Sequence, residues 1–164
     1  MAIDEAYLAD VREQFRKYKA LADRALAQAT DADLVRLIDP EANSLAILMQ
    51  HIGGNLTSRF TDFLTTDGEK PDRHRDEEFE PGTATRTALN ARWEEGWDTL
   101  FRSVDALTTT DLAREVFIRG ERHSVVQALD RALTHLAYHV GQIVLLAKHF
   151  RGAEWTSLSI PRRR

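Results

Sequence analysis

The stretch Ser124–Gly152, SVVQALDRALTHLAYHVGQIVLLAKHFRG, decides the fold. Its apolar residues Val126, Leu129, Leu133, Leu136, Val140, Ile143 and Ala147 recur at alternating steps of three and four. That is the period of one face of an α-helix. Ser124 is suited to cap the first turn, and Gly152 closes the last. The spacing predicts a long amphipathic helix with one side in a core.

Three more segments carry the same period. From about Asp4 to Gln28 the apolar stripe is Leu8, Val11, Phe15, Tyr18, Ala22 and Ala25, with Asp4 placed to cap it. A short helical piece, Asp31–Ile38, stops at Asp39-Pro40, because the residue before a proline is pushed out of the helical region. A second long helix begins near Asn43-Ser44 and reaches about Thr65, burying Leu45, Leu48, Ile52, Leu56, Phe60 and Phe63. Gly53-Gly54 interrupts it, and each glycine costs about 1 kcal/mol relative to alanine in a helix interior. Close approach of a neighbouring helix or a ligand is expected there. The third long helix spans Ala84–Leu107 through Leu89, Trp93, Trp97, Leu100, Val104 and Leu107.

The connections are less regular. Thr66–Thr83 lacks periodicity and holds the turn signals Asp67-Gly68, Pro71 and Pro81-Gly82. It reads as a charged surface loop or as a lid over a site. Val116-Phe117-Ile118, followed by Arg119-Gly120, reads as a small extended segment or hairpin. Trp155–Pro161 forms an irregular tail. Four amphipathic helices with a long second-to-third connection predict an all-α fold, a four-helix bundle in a single domain over 1–164.

Composition narrows the function. The 164 residues hold 22 Lys and Arg against 26 Asp and Glu, a net charge of −4. That balance gives no support for nucleic-acid binding. Only Arg162–Arg164 forms a basic run, read as a solvated tail. No apolar run approaches the ~20 residues of a membrane span. There are no cysteines, which excludes disulfides, cysteine-held zinc, iron–sulfur clusters and a thiol nucleophile. Met1 is not followed by a signal-peptide pattern, so a cytoplasmic protein is expected.

The chemistry then rests on six histidines. His135 and His139 lie four residues apart, one turn along one helix face, where two imidazoles can chelate one metal ion. Chance alone gives about 0.2 such pairs in a chain of this composition, so the pair is suggestive and no more. His51, beside the buried Ile52 and next to Gly53-Gly54, is the candidate third ligand. His74, His123 and His149 read as surface imidazoles. Spacing leaves two readings open: a metal site, or three partly buried, hydrogen-bonded histidines. Three neutral imidazoles would leave a divalent ion its full charge and an open position. Leu136 stands where a zinc-protease helix carries its catalytic glutamate, which argues against that mechanism. Asn55, Arg59, Tyr138 and Gln142 are candidate pocket residues, though each can equally serve ordinary helix packing.

Three stretches carry a resemblance: NSLAILMQHIGGNLTSRFTDFLTTDGEKP (Asn43–Pro71), ALTHLAYHVGQIVLLAKHFRG (Ala132–Gly152) and WTSLSIP (Trp155–Pro161). With them the chain resembles the DinB/YfiT-like superfamily of metal-binding four-helix bundles, within it a bacterial subgroup without an assigned function. The resemblance implies a divalent-metal site at His51, His135 and His139, and a homodimer. Zinc is the first expectation; nickel and manganese are alternatives, since imidazole suits several ions. It also implies a small-molecule substrate and S-transferase chemistry with a low-molecular-weight thiol, or hydrolase-like chemistry. The competing expectation is a non-catalytic metal-binding or stress-response module. A fourth ligand, such as a carboxylate from the long loop, would favour that alternative. A helical interaction protein with relic histidines is the third.

Overall fold

The computed structural model describes residues 2–80 and 84–160. The expected Pro81-Gly82 turn, the Arg162–Arg164 run and Met1 lie outside the described residues. The protein is mainly helical, with five α-helices and one two-stranded sheet among the described residues.

Helix α1 spans Ile3–Leu26. Its N-cap is Ala2 and not Asp4, which sits in the first turn. The Glu5 carboxylate accepts the Ala2 N–H at 3.1 Å, so the cap is supplied from inside the helix. Helix α2 is only Asp31–Val35, because Arg36 already has an extended backbone. Thr30 and Asp33 form its capping box.

Helix α3 runs Leu45–Phe60 from the Ser44 cap, whose side chain accepts the Ile47 N–H at 3.2 Å. It ends five residues before the expected Thr65. Thr61 is extended and Asp62 takes φ 49°, so the chain turns there. Phe63 is buried regardless, and that burial imitated one more helical turn.

Helix α4, Arg86–Ala106, buries Leu89, Trp93, Trp97, Leu100 and Val104 of its expected stripe, and Leu107 is buried one residue past its end. Trp93 and Trp97 are among the largest buried side chains, and the Trp93 indole N–H donates to Asp23 on α1 at 2.8 Å. Helix α5 spans Val125–Arg151 between the Ser124 cap and Gly152 at φ 56°. Helix α3 lies along α4, α1 lies along α5, and α3 also meets α5. Apolar faces of all four long helices share one core.

The all-α class leaves out one element, the hairpin expected around Val116-Phe117-Ile118 and Arg119-Gly120. Strands β1 (Glu115–Ile118) and β2 (Glu121–Ser124) pair antiparallel, with Val116 opposite His123 and Ile118 opposite Glu121. Arg119 and Gly120 both take positive φ, 57° and 74°, as a two-residue hairpin turn requires.

The glycines of α3 have separate reasons. A Cβ on Gly96 of α4 would stand 2.7 Å from the Gly53 carbonyl oxygen, and one on Gly53 equally close to that of Arg92. Here α3 and α4 touch backbone to backbone. A Cβ on Gly54 would instead overlap the Glu78 carboxylate. Glu78 belongs to the long connection, which is neither structureless nor wholly on the surface. It forms a 3-10 turn over Arg75–Phe79, and within that turn Glu78 is buried.

Candidate metal centre

His51 points from the middle of α3, and His135 and His139 from successive turns of α5. One nitrogen of each lies within 4.8 Å of the other two. The Nε2 atom of His135 is 3.1 Å from that of His51 and 3.2 Å from that of His139. Both His51 and His139 are buried, and His135 is half-buried.

The outer nitrogens fix the tautomers. The Nδ1–H of His51 donates to Glu78 Oε2 at 3.0 Å. Burial works against the charge of Glu78, but hydrogen bonds from His51 and Arg73 outweigh it and hold the carboxyl below the usual glutamate value. A carboxylate only accepts, so the proton sits on His51 Nδ1. The Nδ1–H of His139 likewise donates to Gln142 Oε1 at 2.9 Å. The Nε2 lone pairs of both rings therefore face His135. A single N–H on His135 Nε2 can serve one of them, which leaves another lone pair turned inward.

Basicity is suppressed to match. Burial, then the neighbouring His139 and His51, push His135 down to about 3. Burial, with His51, pushes His139 to about 4. These rings stay neutral at pH 7, the state a metal ligand requires. The donor set and its orientation fit a divalent cation that prefers nitrogen.

Carboxylate–histidine pairing of this kind orients metal-binding imidazoles. Glu78 comes from the long loop, but it meets the far side of the His51 ring and does not join the three converging nitrogens. Arg73 anchors it through Nη2 to Oε2 at 2.7 Å and Nε to Oε1 at 3.0 Å. The Phe79 ring packs on His51 with centroids 4.6 Å apart.

The histidines open onto a cavity of about 550 Å³. Asn55, Arg59, Tyr138 and Gln142, the expected pocket residues, all line it. Asn55 is buried one turn beyond His51, and Gln142 holds His139. Arg59 binds Glu69 at 3.0 Å. Tyr138 stacks on His139 at 4.0 Å between centroids while remaining half-exposed. His74, His123 and His149 take no part in the cluster. Sequence reading missed Glu78 and Arg73; the one available signal was Gly54, whose missing side chain makes room for the carboxylate.

Fold and site together define a mainly helical protein with a three-imidazole group that could hold a metal ion. The chain belongs to a family described as "Protein of unknown function (DUF1572)", whose model matches residues 2–164. No curated protein matches the chain. Among the described residues no helix is long and apolar enough to cross a membrane.

Proposed function

We propose that this protein is a divalent-metal-dependent enzyme acting on a small molecule, with His51, His135 and His139 as its ligands. The observation that carries this reading is the convergence of three imidazole nitrogens, two with tautomers fixed from behind, at the wall of a cavity. The four long helices then form a four-helix bundle of the DinB/YfiT-like type, working as a cytoplasmic homodimer.

A bound divalent ion supplies Lewis acidity, which lowers the pKa of a water or thiol and polarises a carbonyl. The chain's own groups do the rest. Glu78 and Gln142 hold the rings in their ligating tautomers. The Phe79 ring, packed on His51, limits water around that imidazole. The absence of any cysteine means that a sulfur nucleophile has to enter with a co-substrate. S-transfer from a low-molecular-weight thiol and hydrolysis are the two reaction types this arrangement serves. Zinc is the first choice of ion, with nickel and manganese next.

Elemental analysis and metal titration of the purified protein test the reading. One divalent ion per chain is expected, lost in His135→Ala, together with turnover in a panel of thiols and electrophilic acceptors. A protein that neither carries nor takes up a stoichiometric ion would rule it out.

A further inference from the structure

The cavity beside the histidines is walled by arginine. Arg59, Arg73, Arg75, Arg119 and Arg131 line it, and among the described residues no Asp or Glu does. Two carboxylates hold part of this set from behind. Glu69 is shared by Arg59 at 3.0 Å, Arg73 at 3.4 Å and Arg119 at 3.0 Å. Glu78 takes Arg73 and also serves His51. Arg75 pairs with its exposed neighbour Asp76 and lies over the Phe79 ring. Arg131 has no carboxylate partner among the described residues.

One atom stands out. Arg59 Nη1 is fully buried and meets no hydrogen-bond acceptor among the described residues. A buried guanidinium nitrogen without an acceptor is costly, and an ordered water or a ligand oxygen is what removes the cost. Arginine forks match carboxylate and phosphate oxygens in geometry as well as charge.

We infer that this cavity binds an anionic small molecule, its carboxylate or phosphate held by Arg59 with Arg119 and Arg131, its other end directed at the three histidines. Arg59 lies eight residues beyond His51 on one helix, about 12 Å along the axis. A ligand that reaches both has to be longer than a bare anion: an organic acid or phosphate ester with a second polar group several bonds away. The second end rests on the metal-dependent reading above; the anion end does not.

The test is calorimetry on the full-length protein at low ionic strength, with succinate, inorganic phosphate and mercaptosuccinate as probes. Each is titrated into protein stripped of metal and into protein loaded with zinc. Succinate or phosphate should bind once per chain in both forms, and the stronger of the two identifies the anion chemistry. Mercaptosuccinate should bind more tightly to the zinc form. Arg59→Gln should weaken all three by about tenfold or more, the loss of a charged hydrogen bond. Should Arg59→Gln fold poorly, Arg131→Ala decides, because its side chain lies outside the ion-pair network around Glu69; several-fold weakening is expected. If zinc binds but neither succinate nor phosphate does, or if the arginine variants bind them unchanged, the anion site is wrong and the metal reading stands. If the anions bind but no metal does, the metal reading is wrong and the anion site stands.

Discussion

His51 is approached from two sides by groups of very different origin. On one side stand His135 and His139, carried by the most regular helix of the chain. On the other stands Glu78, carried by a 3-10 turn in its longest irregular connection. The first pair is placed by local geometry, since residues four apart on a helix share a face whatever surrounds them. Glu78 is placed by tertiary packing alone. It is held by Arg73 five residues earlier and seated against Gly54 of another element. Groups that would contact an ion are thus written into a period, and the group that orients them is not.

The sharpest way to break this comparison is to remove one member of the regular pair. His135 touches both other imidazoles, so His135→Ala should abolish stoichiometric metal binding and leave the helical fold intact. Metal titration alongside circular dichroism checks both halves. Retained one-to-one binding would mean that the ion sits elsewhere.

A second substitution asks what the irregular side contributes. Glu78→Gln keeps the shape but removes the charge behind His51. Orienting partners of this kind typically contribute roughly 10–100-fold in metal affinity, and a loss in that range is expected by competition against a chelator. An unchanged affinity would reduce Glu78 to a structural ion pair for Arg73.

The glycines separate the two roles further. Gly54→Ala should displace the Glu78 carboxylate and lower metal affinity in the direction of Glu78→Gln. Gly96→Ala should instead press α4 off the Gly53 carbonyl, which a new Cβ would approach to 2.7 Å. Overpacking against backbone costs about 1–3 kcal/mol, read as a lower melting temperature with metal affinity kept. The reverse pattern would exchange the assignments of the two glycines.

These contrasts show which parts the sequence makes legible. Periodicity located every long helix, and Ser44 and Ser124 marked two starts by capping chemistry. The end of α3 was misread because Phe63 is buried by a turn and not by another helical turn. Gly53-Gly54 announced a close approach, but not that one glycine admits a helix and the other a carboxylate. The arginine wall was invisible for a related reason. Arg59, Arg73, Arg119 and Arg131 come from four separate stretches with no common period, and only the folded chain assembles them.

The smallest expected effect is a pH dependence, and it belongs to the regular side alone. In protein stripped of divalent ions, burial holds His135 at about 3 and His139 at about 4. The same rings in the unfolded chain titrate near 6.5. Below that pH the unfolded state takes up protons that the folded state refuses, so stability falls as pH drops from about 6.5 toward 4. Above it the contribution is constant. Glu69 and Glu78 are both held below the ordinary glutamate value against the opposing effect of burial, by Arg119 and Arg59 in the first case and by His51 and Arg73 in the second. Their contribution is lost only below about 4.5, the ordinary glutamate range. The interval from pH 6.5 to 5 therefore reports the imidazoles. Melting temperatures of the stripped protein should decline across it, and less steeply in His135→Gln, which removes one of the two titrating rings. Saturating zinc should raise the curve at pH 7 and steepen its fall, because protons compete with the ion for the same nitrogens. A flat profile from pH 7 to 5 would mean that the two rings on α5 take up protons in the folded state as readily as in the unfolded chain, and are not held neutral by the site.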